Sequence, residues 1–310
     1  MKGFTVIHGK RLLFRGVATA LATPMKKGEV DFDALRTMLD YQKNGGVDAV
    51  VLCGTTGEAP TLCEEECCAI LDCARAHLGN DFTIIMGTGT NCTESTLRRS
   101  RDAAAHGADA LLLVTPYYNK GTFEGVFRHY MRVANEIELP LILYNVPSRT
   151  GVDLSLSQLQ RLAAHSRIVA LKEACGNFDK MARFMHDMGD SLTLYSGNDT
   201  QILPTLALGG MGVISVISCV LPRLTTLLCR AYFEGNHALA CKLQSQLLPL
   251  ADLLFAETNP APVKAALSIL GLCENELRLP LACISDDLYH KLEEELSRMI
   301  PLERTVDLSL

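Results

Sequence analysis

Short apolar runs rich in β-branched residues recur through the first two-thirds of the chain, and stretches with helical periodicity separate them. In one such stretch, Phe123, Phe127, Tyr130, Ala134 and Ile137 are spaced three and four residues apart, which marks one face of a helix. The apolar runs predict eight strands, at residues 17–21, 49–53, 83–86, 110–114, 141–144, 168–171, 192–195 and 212–216.

Strands that alternate with helices predict right-handed βαβ units and a parallel sheet. Eight strands spread over roughly 200 residues favour a closed (β/α)₈ TIM barrel over an open sheet. After about Pro222 the strand pattern stops, and helices are predicted at residues 224–233, 238–255, 263–270 and 286–299. The expected α/β fold has an N-terminal extension (1–15), the barrel (16–222) and a C-terminal helical region (223–310).

Two segments have the form of a capping box, in which a hydroxyl at the helix start is followed three residues later by Glu or Gln. Thr61 precedes Glu64, and Ser155 precedes Gln158, at that spacing. We therefore predict helix starts at Thr61 and at Ser155.

Polar, aromatic and glycine residues gather at the carboxyl ends of the predicted strands, where barrel enzymes hold their active sites. Lys172 belongs to this group and follows the apolar run 168–171, so we expect its ammonium to be desolvated. Desolvation disfavours the charged form and lowers the pKa of a lysine. A neutral lysine is a nucleophile whose usual chemistry is a Schiff base with a carbonyl substrate.

Other strand-end residues could assist such an imine. Thr55 and Thr56 lie in a glycine-flanked turn whose hydroxyl and N–H groups suit a carboxylate; the alternative is a helix cap, for which Thr61 is the better candidate. Tyr144 and Tyr118 could relay a proton, with Thr55 linking them, or they could be ordinary half-buried tyrosines.

Arg149 follows Pro147 and Ser148 in a predicted loop over the barrel mouth. Its guanidinium suits bidentate binding of a second carboxylate, although a lone arginine can equally be a surface residue.

Composition excludes several classes of function. The net charge of −6 and the absence of a dense Lys/Arg run argue against nucleic-acid binding, and no apolar run is long enough to span a membrane. The eight histidines form no metal-binding pattern, and the twelve cysteines lack zinc spacing. We interpret the cysteines as reduced structural residues, which predicts a cytoplasmic location.

From about Gly16 to about Pro280 the chain resembles the dihydrodipicolinate synthase family. This family belongs to the pyruvate-dependent class I aldolases, which also include N-acetylneuraminate lyase. The resemblance rests on motifs that follow one another in the family's order: GTTGE at 54–58, GTGTN at 87–91, TPYYNKGTFEG at 115–125, LYNVPSRTG at 143–151, LKEACGN at 171–177, YSGND at 195–199 and GVISV at 212–216.

The resemblance implies a role for each matching residue. Lys172 would form the imine with pyruvate, and Tyr144 would be the acid/base at the adduct. Thr55 would join Tyr144 to Tyr118 of a neighbouring subunit, and Thr56 would hold the pyruvate carboxylate.

The second substrate implied by the resemblance is L-aspartate 4-semialdehyde. Arg149 would bind its carboxylate, and Gly197 and Ile214 would contact substrate through the backbone. The covalent imine would replace any cofactor, and the family is usually a homotetramer built from two tight dimers.

Two alternatives to this synthase reaction stay open. One is an aldolase for a 2-keto-3-deoxy sugar acid or N-acetylneuraminate, which would use the same lysine imine; Thr55-Thr56 and Arg149 favour the synthase. The other is a non-catalytic barrel kept as a binding protein, which predicts a broken set of catalytic residues.

One region departs from the family pattern. In relatives inhibited by L-lysine, a serine, histidines and a glutamate bind the inhibitor, and Ser95 stands here at the position of that glutamate. Without the carboxylate the ligand's ammonium loses its main charge partner, so we expect weak inhibition by L-lysine or none. The matching positions hold Ala59, Glu64, Cys67 and Ser95, while Asn91 and Tyr117 keep the family residues.

Overall fold

Eight parallel strands form a closed barrel in the computed structural model, which describes residues 6–7 and 10–308. Each strand pairs with the next along the chain, and β8 closes the ring by pairing with β1, with Gly212 opposite Gly16. The predicted barrel is confirmed. Its strands are β1 (Gly16–Ala20), β2 (Ala49–Leu52), β3 (Thr83–Gly87), β4 (Ala110–Val114), β5 (Leu141–Asn145), β6 (Ile168–Glu173), β7 (Thr193–Ser196) and β8 (Gly212–Ser215).

Helices connect the strands and continue beyond the barrel as a C-terminal helical region. The four helices expected after Pro222 are present. The helices are α1 (Phe32–Asn44), α2 (Glu64–Leu78), α3 (Thr93–Ala105), α4 (Phe123–Glu136), α5 (Pro147–Thr150), α6 (Leu156–Ala163), α7 (Phe178–Met188), α8 (Ile202–Ala207), α9 (Pro222–Phe233), α10 (His237–Leu254), α11 (Ala261–Ile269) and α12 (Asp286–Thr305).

The last helix runs past the predicted end at residue 299 and continues through Pro301. A tertiary contact accounts for the extension: the backbone N–H groups of Arg223 and Leu224, at the start of α9, donate to the Glu303 carboxylate at 2.7 and 2.9 Å. Glu303 is 2% exposed, so these bonds hold the final turn of α12 against α9.

The start of α2 corrects one prediction. Thr61 is not the N-cap; it lies in a 3₁₀ turn and its hydroxyl donates to the Glu58 carbonyl at 3.0 Å. Cys63 is the cap, because its sulfur accepts from the Glu66 N–H and the Glu66 carboxylate accepts from the Cys63 N–H. Residues 64–66 are all glutamates, so each of residues 61, 62 and 63 has a glutamate three positions later. The capping-box spacing alone therefore does not identify the cap. At Ser155 the predicted box is confirmed.

Two apolar layers fill the barrel: one packs the strands against the helices, and a smaller one lies inside the ring. At the floor of the inner layer the Phe14 ring stacks on Tyr195 with 4.1 Å between centroids, and the Tyr195 hydroxyl donates to the Phe14 carbonyl at 2.8 Å. The segment before β1 therefore closes the floor, and the open end lies at the carboxyl ends of the strands.

The C-terminal helices pack on one another and on one side of the barrel. The helix α9 contacts β1 and α8, α10 and α12 pack against α9, and α11 packs against α10 and α12. The division between barrel and helical region at residue 222 stays a proposal, because α9 also covers β1. No helix among the described residues is both long and apolar enough to cross a membrane.

Candidate active site

Lys172 lies within β6, which runs two residues further than predicted and ends at Glu173. In the barrel register it stands opposite Tyr144 on β5 and Tyr195 on β7. Its side chain points into the ring, since its ammonium nitrogen lies 4.2 Å from the centroid of the Tyr144 ring and Lys172 is only 5% exposed. Lys172 therefore lies near the carboxyl end of a buried strand, where the sequence pattern predicted it.

Burial lowers the pKa of Lys172 to about 8. The negative charge of Asp199 acts in the opposite direction, and the positive charge of Arg149 lowers this pKa further. Desolvation lowers this pKa more than the attraction of Asp199 raises it. Part of the Lys172 population is therefore neutral near pH 7.5. The lysine is therefore primed to attack a carbonyl group.

A hydrogen-bond network fixes the end of the strand that carries Lys172. The Glu173 carboxylate accepts from the Asn145 side-chain amide at 2.8 and 3.0 Å and from the Cys175 N–H at 2.8 Å. Lys180 adds an ion pair at 3.3 Å. These contacts tie β6 to β5 and α7, so the backbone beneath the nucleophile is held from three sides.

Tyr144 and Thr55 are brought together as predicted. Burial raises the pKa of the Tyr144 phenol, while the charge of Arg149 and a hydrogen bond with the Thr55 side chain partly offset that rise. Tyr118 is not brought to this pair within one chain. It is 88% exposed, at a positive φ of 71°, in the loop after β4.

A cavity of about 180 Å³ lies above Lys172 at the carboxyl ends of the strands. It collects most of the predicted substrate-binding residues, whereas Ile214 is fully buried in the inner layer on β8. Among the described residues that line this catalytic cavity, none carries a carboxylate. The lining residues that matter chemically are Thr55, Thr56, Tyr144, Arg149, Lys172 and Gly197.

Asn259 was missed by the sequence analysis, although it lines the same cavity. Its side-chain amide donates to the Thr56 hydroxyl oxygen at 3.1 Å, and its backbone carbonyl accepts from the Arg149 guanidinium at 3.2 Å. The residue lies between α10 and α11, far from the barrel motifs in sequence. An Asn-Pro pair between two predicted helices was the only signal, and such pairs are common in loops.

A fully buried ion pair joins the turn at residues 54–58 to the C-terminal region, and the sequence analysis missed it too. The Lys264 ammonium on α11 contacts the Glu58 carboxylate at 2.5 Å, and neither side chain is exposed. The backbone N–H of Arg278 donates to the other carboxylate oxygen of Glu58 at 3.1 Å. This pair anchors the turn that presents Thr55 and Thr56.

A second cavity, of about 440 Å³, adjoins the first and shares Thr55, Tyr144 and Arg149 with it. Ala59, Ser95, Asn91 and Tyr117 line it together with Arg99. The Arg99 Nε lies 3.8 Å from Glu64, and this buried nitrogen has no hydrogen-bond partner among the described residues. Glu64 itself pairs with Arg98, and Cys67 shares a hydrogen bond with Cys53.

The described residues contain no group of three or more His, Cys, Asp or Glu side chains placed to hold a metal ion. The polar side chains that line the catalytic cavity are those of one lysine, one arginine, two asparagines, one tyrosine, one serine and two threonines. A barrel with this arrangement is typical of enzymes that work through a lysine Schiff base.

The chain belongs to the Dihydrodipicolinate synthetase family, whose pattern residues 13–299 match. It is 44% identical over 291 residues to 4-hydroxy-tetrahydrodipicolinate synthase of Magnetococcus marinus, covering 94% of this chain and all of the relative. It is 42% identical over 293 residues to the same enzyme of Aquifex aeolicus, with the same coverage. The crystal structure of dihydrodipicolinate synthase from Thermotoga maritima superposes with a TM-score of 0.90 at 40% identity, covering 93% of this chain and 99% of that one.

Site-resolved reductive methylation should report the titration of Lys172. We expect its reactivity to rise with a midpoint near pH 8, because burial favours the neutral amine. Since the charge of Arg149 lowers this pKa, R149Q should move the midpoint to higher pH. Peptide mass analysis would follow the reaction, with exposed Lys43 as the internal reference. A midpoint for Lys172 near 10.5, the ordinary value for lysine, would contradict this account.

Proposed function

We propose that the protein condenses pyruvate with L-aspartate 4-semialdehyde to give 4-hydroxy-tetrahydrodipicolinate, a reaction of lysine and diaminopimelate biosynthesis. The observation that carries the proposal is the placement of a neutralisable Lys172 in a cavity with a Thr55–Tyr144 pair and two separate groups for carboxylates. Membership of the synthase family supports the same reaction.

The first half of the reaction forms the imine. The neutral amine of Lys172 attacks C2 of pyruvate, and the resulting carbinolamine loses water once its oxygen is protonated. Tyr144 delivers and recovers that proton through its hydrogen bond with Thr55. Thr56 holds the pyruvate carboxylate through its hydroxyl and the backbone N–H groups of its turn. No further cofactor is needed, because the lysine imine itself stabilises the carbanion.

The second half joins the two substrates. Arg149 binds the carboxylate of the semialdehyde, and Gly197 and Ile214 contact substrate through their backbones. The enamine carbon attacks the aldehyde and forms the new carbon–carbon bond. Because the product is a nitrogen-containing ring, the amino group of the semialdehyde must then displace Lys172 from the imine carbon.

The aldolase for sugar acids would use the same lysine but a different second site. A polyhydroxy chain needs groups that bind hydroxyls, whereas the lining of this cavity includes the guanidinium of Arg149, which supports a second substrate that carries a carboxylate. The Arg149 guanidinium also donates a hydrogen bond to the backbone carbonyl of Asn259. This bond orients the guanidinium for a carboxylate. This contact favours an acidic aldehyde.

We also propose a cytoplasmic homotetramer, a dimer of dimers, in which Tyr118 of one subunit completes the proton relay of its neighbour. The exposure of Tyr118 supports this arrangement, since an 88% exposed tyrosine beside the barrel mouth is free to reach another chain. All twelve cysteines are free thiols, which supports a reducing compartment.

Borohydride reduction in the presence of pyruvate tests the proposed mechanism. We expect a covalent adduct on the peptide that contains Lys172, since borohydride traps an imine irreversibly. K172A should give none, although Lys264 and the surface lysines remain. Peptide mass analysis locates the adduct, and circular dichroism confirms folding. Folded wild-type protein without an adduct would exclude the proposed function.

Subunit complementation tests the role of Tyr118. Y118F and K172A should each lose most activity, because one lacks the relay and the other the nucleophile. Co-expressed in one cell, they should form mixed dimers in which an intact Lys172 meets an intact Tyr118, and activity should return. Activity that stays at the level of the two separate variants would show that Tyr118 does not act across the interface.

Calorimetry tests the response to L-lysine. We expect no saturable binding at micromolar concentration, because Ser95 provides no carboxylate and Arg99 adds a positive charge to the same cavity. S95E restores a carboxylate and should bind L-lysine more tightly than the wild type. Micromolar binding by the wild type would contradict the prediction.

A further inference from the structure

The walls of the second cavity carry positive charge. Among the described residues that line it, the charged side chains are those of Arg99 and Arg149. Glu64 and Asp102 share a smaller cavity with Arg99, but neither carboxylate lines this one. An anion that enters the second cavity therefore meets two guanidinium groups and no carboxylate on the walls described here.

The charge of Arg99 is only partly compensated within the chain. Its Nε lies 3.8 Å from a Glu64 oxygen, beyond hydrogen-bond distance, and has no hydrogen-bond partner among the described residues. The same Glu64 carboxylate accepts hydrogen bonds from Arg98 at 2.6, 2.7 and 3.0 Å. The Nε atom itself is buried, but the Arg99 side chain as a whole is 21% exposed and lines the cavity. Its charge therefore acts on a ligand in that cavity.

The start of α3 adds to the positive potential. Cys92, the N-cap residue, and Ser95, in the first turn, both line the cavity, so the positive end of the helix lies at its wall. The hydroxyl and the backbone N–H of Ser95 lower the pKa of the exposed Cys92 thiol, because they stabilise its thiolate. This part of the wall therefore favours a negative charge independently of Arg99.

The size and the other walls of the cavity indicate an organic ligand. A volume of about 440 Å³ lies in the range of small-molecule sites and exceeds what one inorganic ion fills. Leu112, Val114 and Val146 provide apolar surface, and Asn91 and Tyr117 provide polar side chains. A short carbon skeleton that ends in a carboxylate matches this combination.

We propose that the second cavity binds a small organic acid, whose carboxylate pairs with the Arg99 guanidinium. Thr55 and Tyr144 line both cavities, whereas Thr56 and Lys172 line only the catalytic one. The bound acid should therefore leave pyruvate binding intact and lower turnover by disturbing the Thr55–Tyr144 pair. The binding is independent of the proposed function, and the effect on turnover rests on it.

Calorimetry with glutarate tests the binding. Glutarate has no ketone to react with Lys172 and no amino group, so it reports on carboxylate recognition alone. We expect saturable binding by the wild type. Binding should be about 10- to 100-fold weaker in R99Q, the range of a hydrogen bond to a charged group. R101Q is the matched control and should bind like the wild type, because Arg101 lies on the same helix, pairs with Glu136 and lines neither cavity.

E64Q provides a test in which binding should improve. The Glu64 carboxylate lies 3.8 Å from Arg99 and competes with the ligand for its charge. E64Q should therefore bind glutarate about 2- to 5-fold more tightly, the range of a weak ion pair. A purely structural role for Arg99 predicts no such gain.

Steady-state kinetics test the effect on the reaction. Glutarate should lower the kcat of the wild type without raising the KM for pyruvate, and R99Q should resist this inhibition. Sodium sulfate at the same ionic strength should not reproduce it, because the apolar walls favour a carbon skeleton. Circular dichroism checks the folding of every variant, and E64Q keeps the test decisive if R99Q does not fold.

Unchanged glutarate binding in R99Q, an equal loss in R101Q, or no binding by the wild type would each overturn the inference. Binding that is lost in R149Q but kept in R99Q, or competition with pyruvate, would place the acid in the catalytic cavity and overturn it as well. Equal binding of sulfate would show a general anion site, which also contradicts the inference. A wild type that binds glutarate but forms no pyruvate adduct under borohydride would refute the proposed function and leave the binding site standing.

Discussion

The site depends on one constraint: a lysine ammonium is held inside a barrel where desolvation outweighs attraction. Lys172 lies in the middle of a ring of parallel strands whose register places it between two tyrosines. The barrel floor is closed by Phe14 on Tyr195, so substrate reaches the ammonium from the mouth of the ring. A carboxylate in direct contact would have kept the lysine charged, and the cavity lining described here provides none.

The C-terminal region completes the barrel mouth and is not an appendage. Its buried Lys264 pairs with Glu58, and removing one partner of such a pair costs roughly 3–5 kcal/mol because the other charge is stranded. Asn259, which precedes α11, contacts both Thr56 and Arg149. Thr56 and Arg149, which come from the barrel loops, are thus oriented by a residue from outside the barrel.

The sequence predicted the barrel because its strands are short, apolar and bounded by polar turns. Each strand shows this pattern on its own, without reference to the rest of the chain. Lys172, Tyr144, Thr55 and Arg149 could be found because barrel topology gathers strand ends at one face. Asn259 and Lys264 could not, since one lies in the connection between two helices and the other within a helix, and an amide or a lysine is ordinarily exposed at such positions. Their roles arise only from how α11 and the segment before it pack on the barrel. The cap of α2 was misplaced because three consecutive glutamates allow more than one register.

The residues of the site are positioned in two different ways. Lys172 and Tyr144, to which we assign the imine chemistry, lie on strands, and their positions follow from the strand register. Arg149, to which we assign the second substrate's carboxylate, lies after β5 and donates to the backbone of Asn259 in the C-terminal region, so its position depends on tertiary packing. Such a division lets one barrel keep its lysine chemistry while the accepted aldehyde changes.

The most direct test compares two aldehydes in a coupled assay with pyruvate: L-aspartate 4-semialdehyde and N-acetylmannosamine. The account predicts efficient condensation with the semialdehyde, little with the sugar, and a loss of the semialdehyde reaction in R149A. A protein that preferred the sugar, or an R149A variant that kept full activity with the semialdehyde, would contradict it.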